Sequence, residues 1–181
     1  MDEYIISTMR LNLRRWQESD YLPFAAMNSD PVVMAYFPRT LTGEETLQFI
    51  ERINKGFDQN GFGLYALETK ADHQFIGFTG FARPGFDAFF TPCIEIGWRL
   101  KKEVWGQGFA TEAATACLQY GFDVLRLDNV FSFTAVVNKR SENVMKRIGM
   151  HKKAEFNHPK VDAASPLCRH VLYQASRAAV Q

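Results

Sequence analysis

Cysteine is scarce in this chain: three residues among 181, at positions 93, 117 and 168. Their odd number and wide spacing exclude a disulfide framework, a CxxC redox pair and a zinc knuckle. Each lies among apolar neighbours and reads as a small core residue. An excess of one charge is also missing. Lys and Arg number 21 against 20 Asp and Glu, a formal net charge of +1, and no dense basic tract occurs. The electrostatic footprint of a nucleic-acid-binding protein is therefore absent. No stretch approaches the ~18 apolar residues that would cross a membrane, and the acidic start lacks the apolar core of a signal peptide. The four histidines, at 73, 151, 158 and 170, show no metal-ligand spacing, so no metal is expected. No repeat, low-complexity tract or linker breaks the chain. The expectation is one domain over 1–181 with a core from about 9 to 175, in a reducing, cytoplasmic environment without nucleic-acid or membrane partners.

What is present is the balance of a globular protein, 46% hydrophobic and 23% charged residues. Alternation predicts a strand over Met9–Trp16, and helical spacing over Glu18–Ser29 stops before Asp30-Pro31. Thr42 with Glu45 three residues later is a capping box for a helix to about Gln59, closed by Asn60-Gly61. Phe62–Lys70, His73–Ala82 and Pro92–Leu100 read as strands, the first two joined at Ala71-Asp72. A helix is expected from Gly108 to about Leu125. Its inward stripe is Ala110, Ala113, Ala114, Cys117, Gly121 and Val124, small enough to lie close on a sheet. Val130–Val137 reads as a strand, Asn138 caps a short helix ending at Gly149, and weaker strands follow at His151–Asn157 and Arg169–Ala175. This order predicts an α/β domain with a mixed sheet of about seven strands, its central parallel strands flanked by helices.

The most informative stretch is Val104-Trp105-Gly106-Gln107-Gly108-Phe109-Ala110-Thr111-Glu112-Ala113. Two glycines one residue apart stand where an extended segment gives way to a small-residue helix. Such a loop leaves several backbone N–H groups unpaired at the positive end of a helix dipole, which suits a phosphate or pyrophosphate. Glycine serves there by allowing positive φ or close approach of a ligand to the backbone. A dinucleotide fingerprint is a poor match. Thr111 stands at the third glycine position, the motif follows four strands instead of opening the fold, and Lys101-Lys102-Glu103 intervenes. A nicotinamide- or nucleotide-binding α/β protein remains an alternative.

The chain resembles a known family at these positions. Trp105 to Ala113, preceded by Glu95-Ile96-Gly97-Trp98, is similar to motif A of the GNAT N-acetyltransferases. Asn138-Lys139-Arg140-Ser141, followed by Met145-Lys146-Arg147-Ile148-Gly149-Met150, resembles the corresponding segment of the RimJ/RimL-like branch, which includes enzymes acetylating ribosomal-protein α-amino groups. Leu11-Asn12-Leu13-Arg14 and Asp30-Pro31-Val32-Val33-Met34 fit the same branch, so the resemblance covers roughly residues 9–175. It implies acetyl-CoA as cosubstrate and splayed central strands. It implies that the amides of Gly106, Gln107, Gly108, Phe109, Ala110 and neighbouring Thr111 hold the pyrophosphate. The pantetheine arm is then expected along Trp98 to Leu100, with Asn138 beside it. The family often has Arg or Gln where this chain has Trp105, a residue that either covers the cofactor or packs.

Acyl transfer to an amine needs a base, donors for the tetrahedral oxyanion and a way for the thiolate to leave. Alternation along Cys93–Leu100 puts Ile94, Ile96, Trp98 and Leu100 on one face and Cys93, Glu95, Gly97 and Arg99 on the other. Glu95 is therefore a candidate general base if burial raises its pKa; the other reading pairs it with Arg99 or a helix terminus. Glu112, in a first helical turn, reads more naturally as a dipole or ion-pair partner. Ser141 shares a helical face with Val144, Met145 and Ile148. Either it is a small packing residue or, as the resemblance implies, its hydroxyl serves the leaving sulfur. Many GNAT enzymes carry a tyrosine acid where this chain has Met145, so that route is not expected.

The acceptor is expected to be a primary amine, bound by loops beside the cofactor slot: Met34–Arg39, and Arg83–Thr91 with Phe86, Phe89 and Phe90. Those aromatics form a binding wall, cover the core or make a dimer contact. A protein N-terminal α-amine has a reference pKa of about 8 against about 10.4 for lysine, so its proton is roughly 3 kcal/mol cheaper to remove at neutral pH. Small-molecule amines such as antibiotics or metabolites remain open, as does a non-catalytic acetyl-CoA-binding module. Either a monomer or a homodimer is compatible with the sequence.

Overall fold

A computed structural model describes residues 4–177; positions 1–3 and 178–181 of the expected unit lie outside the described residues. Eight strands form one mixed sheet: β1 (Ile6–Ser7), β2 (Leu11–Arg14), β3 (Leu64–Thr69), β4 (Phe75–Ala82), β5 (Glu95–Leu100), β6 (Asn129–Ala135), β7 (His151–Asn157) and β8 (Arg169–Ser176). Their spatial order is β1-β2-β3-β4-β5-β6-β8-β7. Only β5 and β6 run parallel among the paired strands; the other pairs are antiparallel. Four helices cover the sheet: α1 (Tyr21–Ser29), α2 (Gly43–Asn60), α3 (Phe109–Asp123) and α4 (Lys139–Arg147). The sheet has one strand more than expected. The additional β1 is two residues long, too short for any hydrophobic period to register.

Local chemistry sets the helix ends. Thr42 accepts from the Glu45 amide, Glu45 returns the bond to the Thr42 amide, and α2 stops at Gly61 in the left-handed conformation (φ 74°). Helix α3 lies against β4 and β5, and Gly121 is what permits it. A Cβ there would meet the Phe81 ring at 2.6 Å, so even alanine would push the helix off the sheet. The buried stripe of α3 is Ala113, Ala114, Cys117, Leu118, Gly121 and Phe122. Ala110 is only partly buried, and Val124 is exposed. The helix ends at Asp123, so the expected period no longer governs Val124. Cys93, Cys117 and Cys168 are free and buried.

The opposite face carries α1 and α2. Phe24 of α1 and Phe49 of α2 both meet Phe78 of β4, with ring centroids 5.9 Å and 6.0 Å away. At this edge the buried Arg14 guanidinium bonds both Asp20 and Glu68. That arrangement neutralises a charge that would be costly to bury alone. Register then decides which side chains look which way. Phe78 pairs Arg99, Gly80 pairs Gly97 and Ala82 pairs Glu95, so Glu95, Gly97 and Arg99 share the α1/α2 face. Ile96 and Trp98 share the α3 face with Phe81 and Thr79.

Candidate active site

Strands β5 and β6 meet at a single register pair, Glu95 with Phe131. The Phe131 amide bonds the Ile94 carbonyl at 2.8 Å, and the Ser132 hydroxyl bonds the Ile96 carbonyl at 2.9 Å. Beyond Ile96 the strands diverge. In an extended strand, alternate residues direct their backbone groups to the same side, so Trp98 and Leu100 face the gap, as Ile94 and Ile96 face β6. The Gly97 carbonyl points the other way and accepts from Thr79. Within the gap the Leu100 carbonyl is already taken by the Trp105 indole N–H at 2.8 Å. The open edge left for a ligand is the Trp98 peptide group and the Leu100 amide.

At the far end of the gap stands the glycine loop. Gly106 (φ 76°) and Gly108 (φ 83°) are both left-handed. The amides from Gly106 to Thr111 find no acceptor among the described residues, and the next bond back into the loop is Glu112 to Gly108. A Cβ at Gly106 would meet nothing within 4 Å, so backbone conformation, not crowding, requires glycine there. Phe109, Ala110 and Thr111 form the first turn of α3, where the helix dipole is positive. Arg10 braces one flank, donating to the Gln107 carbonyl and pairing with Glu112 at 2.6 Å. Glu112 also accepts from Thr8 and from the Arg10 amide. Burial opposes its charge, but these bonds outweigh it and hold the carboxyl below the usual range. Its role here is structural. On the other flank, Arg140 of α4 lies 4.8 Å over the Trp105 ring.

Asn138 occupies the N-cap of α4, accepting from the Ser141 amide at 3.3 Å and donating to the Thr134 hydroxyl at 3.0 Å. This turn aims Ser141 at β5, where its Oγ accepts the Trp98 indole N–H at 3.1 Å. An indole nitrogen only donates, so the serine lone pair is used and its own O–H remains free to donate. Val144 and Met145, on the same helical face, are buried in the core; Met145 cannot act as an acid in any case.

Glu95 lies on the other side of β5. Its carboxyl makes no hydrogen bond or ion pair with any described residue, so the pairing with Arg99 does not form. Removal from water pushes its carboxyl up to about 8, because no neighbouring cation or donor stabilises the ionised form. Gly97 forms the floor beside it: a Cβ there would meet only Glu95 Oε1, at 4.0 Å. Arg99 closes the other end of this floor. Its Nη1 donates to Asn28 Oδ1 at 2.6 Å, and its guanidinium carbon lies 4.1 Å from the centroid of the Phe37 ring. Its Nε is buried without a partner. Burial brings its pKa down to about 10, which still leaves it cationic at neutral pH. Sequence reasoning missed Arg99 and Asn28 as site residues, because nothing in their spacing shows that α1 and β5 meet.

The two expected acceptor loops separate. Phe37 of the first reaches Arg99. In the second, Phe86 and Phe90 pack on Phe133 at 5.6 Å and 5.9 Å, covering β6 next to the Glu95 register position; Phe89 is exposed. His158 and His170 join this aromatic cluster with ring centroids 4.9 Å apart. Among the described residues no group of His, Cys, Asp or Glu is arranged to hold a metal ion. No helix among them is long and apolar enough to cross a membrane.

Residues 10–151 match the acetyltransferase (GNAT) domain. The chain belongs to the GNAT acetyltransferase family. It is 31% identical over 148 residues to the Bacillus subtilis (strain 168) protein YkkB, covering 80% of this chain and 83% of that one. It is also 31% identical over 148 residues to the FsC-acetyl coenzyme A-N(2)-transacetylase of Aspergillus fumigatus, covering 77% of this chain and 61% of that enzyme. The crystal structure of a GNAT-family acetyltransferase from Bacillus anthracis superposes with a TM-score of 0.77 at 26% identity, over 96% of this chain and 98% of that one. As a GNAT protein this chain is an acyltransferase, and its family implies an amine as acetyl acceptor.

Proposed function

We propose that this GNAT protein transfers the acetyl group of acetyl-CoA to an α-amine, with Glu95 as general base and Ser141 as donor to the departing thiolate. The observation that carries this reading is the partnerless Glu95 carboxyl at the point where β5 and β6 part. A structural glutamate in that position would have a cation or a donor beside it. A non-catalytic acetyl-CoA-binding module needs no such group.

The chain's residues divide the work by face. The free amides of Gly106 to Thr111, at the mouth of α3, receive the diphosphate. The open Trp98 and Leu100 edge receives the amide-bearing arm as an added strand, with Trp105 and Asn138 lining the passage. Acetyl-CoA laid along this path presents its thioester at the divergence, between Ser141 on one face and Glu95 on the other. Glu95 takes a proton from the ammonium or, as attack proceeds, from the nitrogen. Ser141, its lone pair engaged by Trp98, turns its O–H to the sulfur. The α-amine preference follows from matching: a base near 8 meets an amine near 8, whereas lysine costs about 3 kcal/mol more. The RimJ/RimL-like motifs around Asn138 and Ser141 support the same acceptor class.

Thiol release from acetyl-CoA, measured over a panel of α-amines and lysine analogues, tests the reading. Turnover with α-amines, lowered about 10²–10⁴-fold in Glu95→Gln, is expected. An unchanged rate in Glu95→Gln with a good acceptor refutes the base assignment.

A further inference from the structure

We propose that Arg99 is an acceptor-binding residue, and that the acceptor carries a carboxylate held by its guanidinium some distance from the reacting amine. This inference rests on the acetyltransferase reading above and names the acceptor class for the same cleft.

The geometry has four parts. Arg99 projects from the same face of β5 as Glu95, with only Gly97 between them, and the Gly97 position is open but for Glu95 Oε1. One continuous floor therefore joins the base to the cation. Next, no carboxylate among the described residues pairs with Arg99, in contrast to Arg10 and Arg14, whose ion pairs are complete. Among the described residues its guanidinium has one hydrogen-bond partner, the neutral amide of Asn28. Asn28 is itself fully buried and oriented by its bond to Thr46, so that contact fixes the guanidinium without neutralising it.

Third, the bond to Asn28 uses Nη1. The Nε–Nη2 edge is left without any hydrogen bond, and Nε is one of two buried side-chain N or O atoms without a partner among the described residues. That edge carries two donors in the spacing of the two oxygens of a carboxylate, and because Nε is closed to solvent a ligand engages both only once the covering side chains shift. Fourth, the rings of Phe37 and Phe78, 4.1 Å and 5.4 Å from the guanidinium carbon, cover part of the half-buried cation while leaving its positive charge uncancelled. A partly desolvated, fixed and unneutralised cation favours an anion.

Separation sets the shape of the acceptor. Glu95 and Arg99 are four strand residues apart, roughly 13 Å at 3.3 Å per residue. Arg99 leans toward α1 and Phe37. A compact amino acid does not bridge the two groups. An extended ω-amino acid does, and so does a peptide whose acidic side chain or terminus follows its α-amine.

Matched acceptors test this. Saturating acetyl-CoA is combined with Ala-Glu against Ala-Gln amide for the peptide source, and with 6-aminohexanoate against its amide for the free source. The wild-type protein is expected to favour the carboxylate member of at least one pair by about tenfold or more in kcat/KM, mainly through KM. In Arg99→Gln the ratio falls to within about twofold of one, and Arg99→Lys restores part of it, since a point charge keeps attraction but loses the fork. Preference confined to one pair identifies the source. A wild-type ratio near one, or a ratio that survives in Arg99→Gln, overturns the proposal while leaving the acetyltransferase reading intact. Coenzyme A raising the melting temperature of Arg99→Gln as it does that of the wild type shows that the variant is folded. Absence of turnover with every amine, without stabilisation of the wild type by coenzyme A, defeats the underlying reading and this inference together.

Discussion

The indole N–H of Trp98 donates to Oγ of Ser141 across 3.1 Å, joining β5 to the first turn of α4. The bond orients a hydroxyl whose proton has no acceptor among the described residues. Ser141→Ala is expected to lower kcat about 100-fold, in line with loss of one preorganised donor, with little change in KM for acetyl-CoA. Trp98→Phe keeps the ring but loses the N–H. It is expected to cost about 1 kcal/mol, roughly fivefold in kcat. Steady-state kinetics on both variants check the pair, and a Trp98→Phe loss larger than that of Ser141→Ala would contradict the assignment.

Glu95 titrates at about 8 in the folded protein because the cleft withholds water and offers no compensating charge. The proposed base is active only when ionised. The kcat/KM profile is therefore expected to rise with pH and level off above about 8. In Glu95→Gln the rise attributable to this group disappears, leaving only the ionisation of the free amine. Profiles taken with a low-pKa acceptor separate the two.

The same group links folding to pH. Its folded pKa lies above the unfolded value of 4.5, so the folded protein binds the proton more tightly. That stabilisation is complete below about 4.5 and is lost as pH rises through about 8. Glu95→Gln is accordingly expected to melt higher than the wild type at pH 8.5, with the gap narrowing steadily towards pH 4.5. Thermal denaturation across that window measures it; a gap independent of pH would show that the carboxyl is not shielded from water.

Gly106 adopts φ 76° in open space. Gly106→Ala is expected to lose about 1 kcal/mol of stability from the left-handed conformation. Gly106→Asn, whose side chain tolerates that conformation, recovers most of the loss. Both variants place atoms where a diphosphate would approach the backbone. Coenzyme A affinity by calorimetry is therefore expected to fall in both, independently of stability. Full affinity in Gly106→Asn would move the anion site elsewhere.

Much of this architecture is written in short-range chemistry. The Thr42–Glu45 capping box and Gly61 delimit α2, the Gly-x-Gly loop opens α3, and the Asn138 cap starts α4, because each depends on residues within four positions of one another. The alternation that put Glu95 and Trp98 on opposite faces of one strand is equally local. Strand β1 is not legible in the sequence because two residues carry no period, and Val124 departs from the expected stripe because a helix end is set by capping, not by the stripe preceding it.

The sequence alone determined where most helices begin, the glycine loop at the mouth of α3, and the placing of Glu95 and Trp98 on opposite faces of β5. It did so because backbone conformation and side-chain alternation are decided by near neighbours. Only the tertiary structure decided that Glu95 stands without a partner, that Trp98 rather than solvent holds Ser141, and that Arg99 meets Asn28 and Phe37 instead of a carboxylate. Those outcomes depend on which strands part and which helices cover the sheet, and residues 71 positions apart, such as Asn28 and Arg99, come together only when the whole chain has packed.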